Sequence, residues 1–208
     1  MVYKNRKAPL SVRSGAIKIP VVLINHGYSV KNTEYSFLAK ALAAQGYFVV
    51  SIQHDLKTDT PLPVTGNLFV QRKPLWARGV ANILFVMKSL PKMSPHLDLT
   101  KMTLIGHSHS GDIVLLFLQK HPHWVKQAIS LDSLRTPFPR TGSIPILSLR
   151  AKDTQADKGV LPPVKIHKNL NTSIILLNAQ HIDLCDRGSL NVREEINRYI
   201  LNFLQATK

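Results

Sequence analysis

The sequence predicts an α/β protein: a mostly parallel sheet with helices on both faces. Three observations predict it. Short apolar runs alternate with stretches of helical period. The first run, residues 21–25 (VVLIN), is continuously apolar up to its final Asn, as a strand buried on both faces requires. Gly and Pro punctuate the junctions.

Each element follows in order. The strand at 21–25 runs into a turn of His26, Gly27 and Tyr28. Asn32 or Thr33 can cap a helix through Ala44, with Phe37, Leu38, Ala41 and Leu42 on one stripe and Gly46 as its stop. Residues 47–52 (YFVVSI) are the second strand. Residues 53–75 read as a long loop broken by Pro61, Pro63, Gly66 and Pro74. Trp76, Val80, Ile83, Leu84 and Met87 are spaced for a helix over 76–88, ended by Pro91 and Pro95. A strand at 102–105, a turn at 106–111 and a helix at 112–120 come next. Strands are expected at 127–131, 144–149 and 174–177, six in all. A closing helix at 192–204 turns Val192, Ile196, Tyr199, Ile200 and Phe203 inward. In such sheets functional groups sit at the carboxyl ends of the strands.

Composition agrees with one domain over 1–208, whose residues 1–18 form a basic N-terminal segment or a trimmed edge strand. Hydrophobic residues are 44% of the 208, enough for a core. Ten Gly and 13 Pro without a period exclude a collagen-like chain. No run of 18 apolar residues exists, so no transmembrane helix is expected. The basic start MVYKNRKAPLSVRSG lacks the apolar core of a secretory signal. Cys185 is the one cysteine, which excludes an intrachain disulfide framework and fits a reducing, cytoplasmic compartment. A periplasmic or secreted location stays open if a signal segment has been removed. Lys and Arg number 27 against 12 Asp and Glu, a net charge of +15. Such a field attracts phosphates, nucleic acid and anionic surfaces without sequence preference. The basic residues are spread along the chain, however, without a stripe of interleaved aromatics. No specific nucleic-acid partner is expected, and contact with an anionic surface stays open.

The densest chemical signal is residues 101–111, KMTLIGHSHSG. A strand runs into a sharp turn with Ser108 at its apex, and a helix follows at once. That is the context of a nucleophile elbow. The turn needs small residues two before and two after the serine, here Gly106 and Ser110. Glycine is usual at the second place, and here Gly111 comes one residue later. The plainer alternative is a chance strand–helix turn.

A serine hydroxyl needs a base and an orienting acid. His181 follows the last strand, where the serine-first chain order puts the base. The other eight histidines lie near strand ends with other duties, or in loops and at helix ends, where a solvated ring is the default. Three carboxylates compete as the acid. Asp153 follows the strand 144–149, with Arg150 as an alternative partner. Asp132 follows the strand 127–131, and could instead cap the loop before Thr136. Asp157 lies four residues past Asp153. An oxyanion hole needs two N–H groups. His109, after the serine, supplies one, and Tyr28, in the turn that Gly27 opens, supplies the other. HSHSGD at 107–112 superficially matches a metal-binding run, but residues on so sharp a turn cannot all face one ion. No metal is expected. No phosphate-binding glycine motif is present, so no cofactor is expected.

On these residues the chain resembles the α/β-hydrolase superfamily, through HGY at 26–28, GHSHSG at 106–111 and the ordered acids before His181. GYFVVSIQHD at 46–55 and NAQHIDLCD at 178–186 resemble the platelet-activating-factor acetylhydrolase and dienelactone-hydrolase-like branches. In the acetylhydrolases the acid follows the strand after the nucleophile helix, which implies Asp132, 24 residues past Ser108. The commoner placement in the superfamily implies Asp153. The resemblance implies a minimal fold without a cap domain, since 12 residues separate the strands 127–131 and 144–149. The site is then open, partly covered by the 53–75 loop through Leu62, Val64, Leu68 and Phe69. The activity implied is that of a serine hydrolase cleaving a carboxylic ester, with a small-molecule ester or lipid as substrate. Thioesterase and peptidase chemistry use the same parts. The alternatives are a non-catalytic binding protein of this fold and a basic protein that binds nucleic acid or anionic surfaces.

Overall fold

In the computed structural model, residues 1–3, 18–163 and 170–207 are described. Seven strands pair into one sheet: Val2–Tyr3 (β1), Ile19–Asn25 (β2), Phe48–Ile52 (β3), Leu97–His107 (β4), Val125–Leu131 (β5), Ile146–Arg150 (β6) and Thr172–Leu176 (β7). Their order is β1-β3-β2-β4-β5-β6-β7. All neighbours are parallel except β1 and β3, which pair antiparallel with Val2 opposite Val50. β1 is the strand that sequence reading did not define. Two residues are too few for an alternation to register, and most of the expected 1–18 segment, residues 4–17, lies outside the described residues.

Side chains alternate across the sheet and build two cores. Val21 and Leu23 face one way, against Trp76, Val80, Ile83, Ile113 and Phe117. Val22 and Ile24 face the other, against Leu38, Leu42, Ile196, Ile200 and Leu204. Helices Leu68–Ser89 (α2) and His109–Lys120 (α3) therefore cover one face. Ser36–Ala44 (α1) and Leu190–Ala206 (α4) cover the other. No helix among the described residues is long and apolar enough to cross a membrane.

Four boundaries differ from expectation. α3 starts at His109, three residues before the expected 112, because the turn at Ser108 feeds the helix without a spacer. α1 starts at Ser36 rather than after Asn32 or Thr33. Its Tyr35 N-cap makes no side-chain cap. Instead Ser36 N–H and Phe37 N–H donate to the Asp186 carboxylate at 2.9 and 3.0 Å. α2 starts eight residues before Trp76, and Pro74 lies inside it. Asn67 caps this earlier start, accepting from Val70 N–H at 3.2 Å. A proline so near the helix start removes one main-chain bond. Before it, buried Arg72 donates to Pro63 O from Nε at 2.9 Å and Nη2 at 2.6 Å, and after it Trp76, Val80 and Ile83 form the buried stripe. β4 reaches back to Leu97. Its short alternation over 97–100 is broken by Thr100 and Lys101 standing together, and Leu97 and Asp98 pair with Ile19 and Pro20. The later strands and the closing helix shift by two residues or less.

Between β5 and β6 no helix forms among the described residues, in keeping with a capless fold. In the loop before α2, Leu62 is buried while Val64 is 71% exposed. Phe69 meets Trp76 edge-on at 5.5 Å between ring centres. Cover over the sheet edge thus comes from Leu62 and Phe69 rather than from Val64.

Candidate functional site

β4 and α3 meet without a spacer, and Ser108 is the residue between them. Its φ of 54° and ψ of −121° are strained for a residue with a side chain. Ser108 N–H donates to Leu131 O at 2.8 Å, which ties the turn to the end of β5. A Cβ on Gly106 would lie 2.3 Å from Ser110 O, and one on Gly111 would lie 2.8 Å from Ser133 Cβ. The close approaches therefore fall at 106 and 111. At 110 the serine side chain is accommodated, fully buried.

His181 begins a 3-10 turn, His181–Leu184, after β7. Its Nε2 lies 2.8 Å from Ser108 Oγ, and its Nδ1 lies 2.5 Å from Asp132 Oδ2. An ionised carboxylate only accepts, so Nδ1 carries the proton. Nε2 of the neutral ring is then free to accept from the Ser108 hydroxyl. The arrangement can move a proton from serine to imidazole while a fixed anion balances the charge that forms.

Asp132 leaves β5 with a φ of 57° and is fully buried. Burial pushes its carboxyl pKa up, but the His181 hydrogen bond, the Arg150 charge and the Thr154 hydrogen bond outweigh that. The net result lies below the ordinary value. Arg150 Nη2 reaches Oδ1 at 2.8 Å, Ala151 N–H donates to Oδ1 at 3.2 Å, and Thr154 Oγ1 donates to Oδ2 at 2.5 Å.

Of the three candidate acids, then, the imidazole meets Asp132. Asp153 sits elsewhere on the same residue: its Oδ1 accepts the main-chain N–H of His181 at 2.7 Å. Arg150, the alternative partner for Asp153, turns to Asp132 instead. Asp157 donates through its main-chain N–H to Leu134 O, and no hydrogen bond joins it to His181 among the described residues. The loop before Thr136 is capped by Asp112 rather than Asp132. Asp112 Oδ1 accepts from Arg135 N–H at 2.9 Å and from Thr136 N–H at 2.7 Å.

Asn25 at the end of β2 pairs with Gly106, so the Gly27–Tyr28 turn runs beside Ser108. His109 is the first residue of α3, where a helix leaves its N–H without an intrahelical partner. The His109 ring has a separate task, accepting from Trp76 Nε1 at 3.1 Å. Burial and neighbouring cations push its pKa down to about 3. Tyr28 OH accepts from Leu62 N–H at 3.2 Å and holds the loop over the turn. A cavity of about 240 Å³ opens next to it, lined by Tyr28, Leu56, Pro61, Leu62, Leu75 and Arg78 among others.

The four histidines near strand ends, His26, His54, His107 and His109, prove to be main-chain and side-chain wiring. His26 Nε2 accepts from His54 N–H at 2.9 Å, and its Nδ1 donates to Gly27 O at 2.8 Å. His54 Nε2 reaches Asn25 Oδ1 at 2.8 Å. His107 lies between Tyr35 and His181. His107 and His109 thus face different partners, and no three metal-binding side chains gather among the described residues. Asp112 and Tyr35 were not legible as contributors, because each acts on a segment distant in sequence, and Arg150, expected beside Asp153, pairs with Asp132.

No family model matches the chain. Over 112 aligned residues it is 27% identical to a probable 1-alkyl-2-acetylglycerophosphocholine esterase of Arthroderma benhamiae. That alignment covers 49% of this chain and 28% of the relative, so the chain matches little more than a quarter of the relative's length. Among solved structures, it is similar to a predicted CIB-like hydrolase from Thermoplasma acidophilum, with a TM-score of 0.61 and 14% identity over 90% of this chain and 86% of that one. The structural likeness bears on the fold: a mostly parallel sheet, covered on both faces, as in a hydrolase.

Proposed function

We propose that this chain, which shares the α/β-hydrolase fold and resembles an acetylglycerophosphocholine esterase, is a serine hydrolase that cleaves a carboxylic ester. The observation that carries the reading is the unbroken row from Ser108 Oγ through the His181 ring to buried Asp132. Ser108 Oγ attacks the acyl carbon as His181 Nε2 takes its proton. Asp132 holds the ring and balances the imidazolium. The negative charge on the acyl oxygen falls to the main-chain N–H groups of Tyr28 and His109. The intermediate collapses, the C–O bond breaks, and His181 returns the proton to the leaving alcohol. Water then repeats the cycle: His181 takes its proton, its oxygen attacks the acyl carbon, and the carboxylic acid and free Ser108 are released.

The capless sheet edge favours a small ester or a short acyl group on a lipid. The relative's name points the same way. A non-catalytic binding protein would have no need of a serine, a correctly protonated base and a buried anion in register. The net charge of +15 alone motivates an anionic-surface role.

Intact-mass labelling with a fluorophosphonate, wild type beside Ser108→Ala, tests the proposal. One adduct on wild type and none on the variant is expected. An unlabelled folded wild type, or equal labelling of both, would overturn it.

A further inference from the structure

We propose that His107 is a positioning residue for His181, and that Tyr35 sets its orientation, so that one hydrogen-bond chain joins the Gly27 turn to the histidine loop. The effect on rate rests on the serine-hydrolase reading above.

The chain has one direction. Gly27 N–H donates to Tyr35 Oη at 2.9 Å. Tyr35 Oη lies 2.7 Å from His107 Nδ1, and His107 Nε2 lies 3.0 Å from His181 O. A carbonyl only accepts, so His107 carries its proton on Nε2. Its Nδ1 then accepts, and the Tyr35 hydroxyl donates. Each link fixes the next, and reversing any one leaves a buried group without a partner. Both Tyr35 and His107 are 1% exposed. Burial pushes the His107 pKa down to about 3, so the ring stays neutral, and its two partners set the tautomer.

The geometry touches both halves of the site. At one end, a Cβ on Gly27 would lie 2.9 Å from His107 Nδ1, so the turn that leads to Tyr28 packs directly on the ring. At the other end, His181 is held at both main-chain polar groups. Asp153 accepts from its N–H and His107 donates to its C=O. The two imidazoles lie 4.9 Å apart. The same loop is tied again to residues 29–37. Asp186 accepts from Ser36 and Phe37, and Arg187 reaches Glu34 at 2.7 Å and Ser29 O at 3.1 Å. A loop with no strand partner at His181 is thus located by side chains, and His107 is the link that also contacts the Gly27 turn.

The test uses Tyr35→Phe, His107→Phe and His107→Gln. Measurements are thermal midpoint, kcat and KM on p-nitrophenyl acetate, fluorophosphonate labelling rate, and ¹⁵N ring spectra of His107 and His181. The two Phe variants are expected to lower kcat by about 10²-fold, the scale of a 1 Å misplacement, with KM within about twofold. His107→Gln retains an N–H for His181 O and is expected to recover most of the loss. Wild-type spectra should give His107 as the neutral Nε2–H tautomer. Wild-type kcat in a folded His107→Phe or Tyr35→Phe protein would overturn the proposal, and so would an Nδ1–H tautomer. If His107→Phe does not fold, Tyr35→Phe decides. If wild type neither hydrolyses ester nor takes the label, the hydrolase reading fails by itself. The spectra then decide the positioning role: His181 ring signals that shift in Tyr35→Phe support it, and unshifted signals overturn it.

Discussion

Asp132 and Asp153 both reach His181, one at its ring and the other at its main chain, and their chemistry separates them. Only Asp132 sits where an imidazolium would form, and His181, Arg150 and Thr154 hold it ionised against its burial. Asp132→Asn is expected to lower kcat by about 10⁴-fold, the cost of the same change in a serine protease. Asp153→Asn keeps an acceptor for the His181 N–H and should cost far less. Steady-state kinetics on both, with circular dichroism for folding, makes the comparison. Equal losses would overturn the separate roles of the two aspartates. Both aspartates follow a strand in the sequence, so strand order alone could not choose between them. The positive φ at Asp132 and the Arg150 side chain made the choice, and neither is visible in spacing.

At the scale of elements, α1 has its N-terminus satisfied by a carboxylate 150 residues away. Asp186 serves two main-chain N–H groups there. Asp186→Ala should lower unfolding free energy by about 1–2 kcal/mol, the upper range for loss of an N-cap. Urea unfolding measures the loss, and amide exchange should rise first at Ser36 and Phe37. Loss of stability without faster exchange there would place the effect elsewhere. Sequence reading put this helix start near Asn32 because local capping residues stood there, whereas the cap came from the histidine loop. Local signals also start α2 too late, at 76 rather than Leu68. Pro74 is a strong local breaker, but the turn before it is held by the Asn67 cap and by buried Arg72 on Pro63 O.

Across the whole molecule, buried histidine sets the response to acid. His54, His107 and His109 are each pushed down to about 3, burial being the largest cause. The unfolded chain protonates them near 6.5, so their contribution is full above that pH and is lost as the pH falls toward 3. Asp112 runs the other way. Burial pushes it up to about 6, so its contribution is lost as the pH rises from about 4 to 6. Three histidines against one carboxyl leave the unfolded chain holding about two more protons between pH 4 and 6. Stability should therefore fall as the pH drops through that window, read as a declining urea midpoint. Asp112→Asn removes the opposing group and should steepen the fall toward three protons. A midpoint independent of pH would refute this account.

Local sequence was enough for the α/β architecture, the strand–turn–helix at Ser108 and the location of His181 after the last strand. These are local facts: apolar runs, helical period and the small residues of a sharp turn are written in neighbouring positions. It also narrowed the acid to three residues and brought out the likeness to an acetylhydrolase. The tertiary structure decided which carboxylate meets the imidazole, where α1 and α2 begin, and which histidines are wiring. Those outcomes depend on pairs such as Asp132 with Arg150, Asp186 with Ser36 and His107 with His181. Their partners are brought together only when the sheet closes, and burial then decides which proton each group holds.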